Sequence, residues 1–337
     1  MKAKLKTALA AAGVLVLASL PAPAQSPEEF YSGKTVTVVS PSGTGGSIYQ
    51  YALLVSNHIG RHIPGKPDAV VEDRGGGGGV KAANYVFSAA PDDGLVIAEL
   101  HPSSLVVPLT REVNYDFSEA NWLGSVAVRP YVGAVWHSVD VDRIEEIGDG
   151  EVIFAASGVG GSSYQYPVFV ARMSGANIKV IPGYKSGGAM NLAMERGEVQ
   201  GRGNYYEGFL ATNPDWVEED KIKFLFRMGD EHPDLMDVPL ASSYAKTDQD
   251  RAMLGLLEAP LKVGQAFYTH PNVPEDRVAA LRKAFTDMLA DPDFQAEAEK
   301  FNLVVRSRTT EEVEANVKAV YDTPKELASE LEAIFRN

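Results

Sequence analysis

The chain of 337 residues contains no cysteine. That absence rules out a disulfide framework, thiolate metal sites and the lipid-modified cysteine of an anchored export signal, so stability has to come from buried apolar area. Basic residues are scarce too: 31 Lys and Arg stand against 45 Asp and Glu, a formal charge of −14. No nucleic-acid partner is expected from that balance, because such a partner needs a basic footprint. Long apolar runs are missing as well. The longest candidate, residues 8–20, has 13 residues, whereas a bilayer crossing needs about 20. There is no Gly-x-Ser-x-Gly elbow, and His58 and His62, spaced i and i+4, lack the acid that would complete a zincin pattern. We therefore expect no catalytic residue, no metal and no other cofactor; the two histidines read as a helix C-terminal pair.

The first residues do carry a pattern. Lys2, Lys4 and Lys6 precede the apolar run, and Ala22-Pro23-Ala24 follows it as a small-residue cleavage site. This is the layout of a secretory signal peptide over residues 1–24, which places the remaining chain in the periplasm. That remainder exceeds what one hydrophobic core usually serves. Two lobes are expected, one from 25–130 together with 263–337 and the other from 131–262, with hinge strands near 127–132 and 261–267.

An internal repeat organises those lobes. Ser42-Gly43-Thr44-Gly45-Gly46-Ser47-Ile48-Tyr49-Gln50-Tyr51 recurs as Ser157-Gly158-Val159-Gly160-Gly161-Ser162-Ser163-Tyr164-Gln165-Tyr166, with eight of ten positions identical. Each copy follows a β-like run, 35–39 or 152–156, and leads into apolar residues at helical spacing. Further helices are expected over 48–59, 80–88, 165–173 and 189–196, and strands over 69–71, 95–100 and 179–181. The pattern is α/β, with a βαβ-based sheet in each lobe. A glycine loop opening a helix leaves backbone N–H groups without intrahelical partners at the positive end of the helix dipole, which suits an anion. Two such loops on facing lobes would share one ligand. Tyr49 and Tyr164, one turn into their helices, are expected to reach it; Tyr51 and Tyr166 are expected to pack into their own lobes. Lys185 and Arg202 are the cationic candidates, and an arginine is able to hold a carboxylate bidentately.

Further motifs carry a family resemblance. Gly45-Gly46-Ser47 after Pro41, Val70-Val71-Glu72-Asp73-Arg74 before five glycines, Ala90-Pro91-Asp92-Asp93-Gly94, Pro182-Gly183-Tyr184-Lys185-Ser186-Gly187-Gly188 and Pro271-Asn272-Val273-Pro274 occur in that order. Together they resemble the Bug family, the receptors of tripartite tricarboxylate transporters. The resemblance implies a two-lobed Venus-flytrap fold that closes on a small organic acid and hands it to membrane subunits of the transporter. It implies contacts from Ser42, Gly43, Thr44, Gly45, Gly46, Ser47 and the loop starting at His101 in lobe one. In lobe two it implies Ser157, Gly160, Gly161, Ser162, Ser163, Tyr164, Gly183, Tyr184, Asn204 and the neighbouring Tyr205. Two positions depart from the family pattern. Tyr49 stands where relatives often carry Asp, which disfavours an amino-acid ligand, and Ser42 stands where an aromatic residue is common.

The expectation is a monomeric, non-enzymatic receptor for a di- or tricarboxylate or an aromatic acid, in which lobe one takes the acid first. Two alternatives remain. Gly43-x-Gly45 after a strand, with Glu72 or Asp73 ending the next, imitates part of a dinucleotide fingerprint, although Ile48 holds the third glycine position. An inorganic oxyanion would use the same loop donors.

Overall fold

The computed structural model describes residues 25–109, 111–148 and 150–336; the expected signal peptide, 1–24, lies outside the described residues. The chain opens with α1 (Pro27–Tyr31), whose first turn is closed by the reciprocal Ser26 and Glu29 capping box. Next come β1 (Thr35–Ser40), α2 (Ser47–Ile59), β2 (Asp68–Asp73), α3 (Val80–Ser88), β3 (Val96–Glu99) and β4 (Asn121–Ser125). The chain then crosses into a second unit of β5 (Tyr131–Trp136), β6 (Val152–Ala156), α4 (Ser162–Ser174), β7 (Ile178–Pro182), α5 (Gly187–Glu195) and β8 (Gly201–Tyr205). It continues with α6 (Tyr206–Thr212), α7 (Pro214–Glu218), β9 (Ile222–Met228) and α8 (Asp248–Val263). β10 (Ala266–Thr269), α9 (Glu275–Leu289), α10 (Pro292–Lys300), α11 (Thr310–Tyr321) and α12 (Lys325–Arg336) complete it.

Two five-stranded sheets result, β2-β1-β3-β10-β4 and β7-β6-β8-β5-β9. In the first, β1 lies parallel to β2 and β3, and β10 is antiparallel to β3 and β4. The second repeats the plan, with β6 parallel to β7 and β8, and β5 antiparallel to β8 and β9. In each sheet the fourth strand is therefore the one that enters from the other unit. Alternation along the strands feeds two faces, as a strand's period of two requires. Val36, Val38, Ile97, Leu123 and Phe267 join one core with α2 and α9, while Val39, Val96, Ala98, Trp122 and Tyr268 join another. β5 and β6 divide likewise, Val132, Ala134 and Ala155 on one side and Tyr131, Val135, Val152 and Phe154 on the other.

Two helices begin earlier than their apolar spacing predicts. α4 starts at Ser162, directly after the extended Gly161, and α5 starts at Gly187 because the Ser186 hydroxyl accepts the Ala189 amide and caps it. The units join where 125–128 runs beside 264–265: the Val126 amide donates to Gln265 O and the Gln265 amide to Ala127 O, at 2.9 and 2.8 Å. A Cβ on Gly264 would lie 2.2 Å from Ala127 O, so only glycine fits that approach. This crossing overlaps the stretches expected as a hinge, 127–132 and 261–267, and begins two residues before the first of them. A third segment, absent from the sequence expectation, is bonded to it, since Val128 and Ser125 donate to the carbonyls of Arg306 and Arg308.

Candidate ligand-binding site

A cavity of about 420 Å³ opens between the two sheets at the carboxyl ends of β1 and β6. Loops after parallel strands are where α/β sheets present backbone donors to ligands. The first unit lines it with Pro41, Ser42, Gly43, Gly46, Ser47 and Ile48, with Asp73 and residues 75–78, and with His101. The second contributes Tyr131, Ser157, Ser162, Ser163, residues 183–187, Met190 and residues 202–205.

Helix N-termini supply much of the polarity. α2 follows Gly46 and α4 follows Gly161, and neither has a side-chain cap, so the amides that open the two helices, those of Ser47 and Ile48 and of Ser162 and Ser163, have no intrahelical acceptor beside one cavity, while the Tyr164 amide turns back to Gly161 O at 2.9 Å. The two copies of the sequence repeat thus meet across a shared space. Serine hydroxyls flank them: the Ser163 Oγ accepts the Ser157 amide at 3.0 Å, and Tyr131, whose OH donates to Ser162 O at 3.2 Å, lies across β8 at Gly203. A Cβ on Gly203 would lie 1.9 Å from the Tyr131 hydroxyl oxygen, so glycine makes room for the ring.

Charge is distributed unevenly over the lining. Lys185 and Arg202 belong to the second unit, and Asp73 to the first. Arg202 is 3% exposed; its Nη1 donates to Gly187 O and Asn191 Oδ1 at 2.8 and 2.5 Å, and its Nε to Gly203 O at 3.3 Å. Burial pushes its guanidinium down to about 10, which leaves it a cation at neutral pH. His101 is also buried, and its Nδ1 has no hydrogen-bond partner among the described residues. Burial pushes that imidazole down to about 4, so it is neutral at pH 7.

Behind the lining lies a group that sequence reasoning missed. Arg129, in the crossing segment, is 2% exposed and stacks between Tyr51 and Tyr205, with its guanidinium carbon 4.6 and 4.2 Å from the ring centres. Its Nη1 donates to Ser47 Oγ at 3.3 Å, linking the crossing to the start of α2. Glu99 and Glu207 are buried nearby, and burial raises both carboxyls above the usual range. Nothing in a one-dimensional pattern marks Arg129, because its partners come from α2 and the end of β8.

Of the residues expected to contact a ligand, Ser42, Gly43, Gly46, Ser47, His101, Ser157, Ser162, Ser163, Gly183, Tyr184, Asn204 and Tyr205 line the cavity. Thr44, Gly45, Tyr49, Gly160, Gly161 and Tyr164 are not among its lining residues. Tyr164 packs against the core of its own unit, and the Gly161 amide donates to Gly158 O within its own turn. Gly45 and Gly160 form the seam between the units. A Cβ on Gly188 would lie 2.8 Å from Gly45 O, and one on Gly78 would lie 2.9 Å from the Gly160 carbonyl carbon. Tyr51 and Tyr166 are buried within cores, and the Tyr51 hydroxyl donates to Val304 O. His58 of α2 and His62 just beyond its end bond to Glu297 of α10 and to Asp291 beside it, at 2.6 and 2.9 Å.

The same architecture occurs in solved structures. The periplasmic binding protein BugD matches with a TM-score of 0.71 at 20% identity, over 90% of this chain and 98% of that one. The fold is that of the two-lobed periplasmic binding proteins. MatC (Rpa3494) from Rhodopseudomonas palustris, with bound malate, matches at a TM-score of 0.68 and 19% identity over 90% of this chain and 99% of that one. Rpa4515 from the same organism, with adipate, matches at 0.67 and 18% over 89% and 97%. No family model matches the chain, and no curated protein matches it in sequence.

Proposed function

We propose that this protein is a periplasmic solute receptor that closes on a small organic carboxylate and delivers it to the membrane subunits of a tripartite tricarboxylate-type transporter. The observation that carries the reading is the pair of uncapped helix N-termini, α2 and α4, brought from opposite units to one cavity. Such termini favour negative charge, and a cavity of about 420 Å³ falls within the size range of small-molecule sites. The malate and adipate of the two R. palustris structures are small carboxylates of this kind. Export through residues 1–24 supplies the compartment, and no helix among the described residues is long and apolar enough to cross a membrane. In this reading the lobes comprise 25–130 with 263–337 and 131–262, the ligand contacts come from the lining residues named above, and the receptor acts as a monomer without catalysis.

A thermal-shift screen of the mature protein tests the proposal. The panel holds aliphatic and aromatic mono-, di- and tricarboxylates, amino acids, phosphate and NAD. A ligand at 100 times its Kd stabilises by about 2.7 kcal/mol, so a rise in Tm confined to carboxylates is the expected outcome. A shift with NAD or phosphate and with no carboxylate would overturn it.

A further inference from the structure

Arg202 is a buried cation for which the described residues supply no ion pair. Its hydrogen-bond partners, Gly187 O, Asn191 Oδ1 and Gly203 O, are all neutral acceptors. They engage Nε and Nη1, and no hydrogen bond to Nη2 is found among the described residues. A guanidinium taken out of water without a counter-charge is costly, and buried charges are ordinarily paired. The other buried arginine lying behind the lining, Arg129, has the carboxyl groups of Glu99 and Glu207 in its field, although its own Nε and Nη2 also lack hydrogen-bond partners among the described residues.

Position sharpens the contrast. Arg202 lines the cavity and reaches the seam: a Cβ placed on Gly187 would lie 3.3 and 3.4 Å from its Nη1 and Nη2 and 3.5 Å from the Cα of Gly46, the residue before α2. The guanidinium therefore stands beside the N-terminal end of α2, where an anion held by the first unit's amides would lie within its reach. The fork is fixed from behind by β8 and α5, so little side-chain entropy remains to be lost on binding.

We propose that Arg202 is the charge anchor of the ligand, giving its Nη2 edge to the same carboxylate that the α2 N-terminus receives, and that the second lobe consequently captures the acid before the lobes close. This rests on the carboxylate-receptor reading. It reverses the expected order of capture, because the first lobe offers that group amide dipoles together with the acidic Asp73, whereas the second offers Arg202 and Lys185. An uncharged isostere of the acid leaves the guanidinium unpaired, so discrimination against amides should be strong.

The test uses succinate, malate, adipate, phthalate and citrate with the wild type, Arg202→Gln and Arg202→Lys, read by thermal shift and titration calorimetry. The acids that raise the wild-type Tm should bind Arg202→Gln roughly 10- to 100-fold more weakly, and Arg202→Lys should recover part of the loss. Undiminished binding by Arg202→Gln overturns the anchor. Should that variant not fold, the wild type decides: the monoamide and diamide of the best acid must bind at least tenfold more weakly, and equal binding by the diamide overturns the proposal. If no acid shifts the wild type, the receptor reading itself fails, an outcome distinct from a wild-type shift that survives Arg202→Gln.

Discussion

At the scale of single residues, the site combines groups whose charge states burial has set. His101 illustrates the sign. Its imidazole is held at about 4 when folded against an ordinary 6.5, so between those values the unfolded chain binds the extra proton and stability falls as pH is lowered. His101→Gln should remove that dependence. Denaturant melts of the two proteins should diverge below pH 6.5, the wild type losing up to roughly 3 kcal/mol more than the variant by pH 4; parallel profiles would show that the imidazole is solvated. Legibility at this scale was mixed. Ser47, Ser162 and Gly183 were readable because each sits in a glycine loop after a strand, so their placement follows from local pattern. Arg129 was not, because its role depends on Tyr51 and Tyr205 converging from distant parts of the chain. Tyr49 and Tyr164, expected at the cavity because each stands one turn into a helix, are not among its lining residues.

At the scale of elements, the repeated strand, loop and helix are the units of recognition. If the amides that open α2 receive the ligand, a carboxylate tethered there should take its place. Ile48→Asp puts one in the first turn, beside the cavity. It should favour the helix by about 0.3–1 kcal/mol through the dipole while abolishing the Tm rise given by acids. Retained acid binding in this variant would remove α2 from the site. Both sheets are legible in outline, since 35–39 and 152–156 are β-like runs that lead into glycine loops. The insertion of β10 between β3 and β4 was not, because a four-residue strand pairs according to what surrounds it.

At the scale of the whole molecule, closure depends on how nearly two backbones are able to approach. Gly188 meets Gly45 across the seam, where a Cβ would lie 2.8 Å from a carbonyl oxygen. Its own backbone is helical and lies outside the left-handed region, so Gly188→Ala strains the approach and not α5. The variant should melt within a few degrees of wild type, bind acids more weakly, and show in small-angle scattering a larger radius of gyration in the presence of acid. Unchanged affinity and compaction would mean that the seam is not a closure contact. The crossing carries a further consequence for how the chain is made. β10 lies between β3 and β4 in the first sheet, yet it follows the whole of the second sheet in sequence. A chain emerging in order from its N-terminus cannot finish the first lobe until residue 266 has appeared, by which time β5 to β9 are all available to pair. The unit that begins first is thus completed last, and its open strand edges persist through most of synthesis, a window in which a partner that holds unfolded chains has the most to grip.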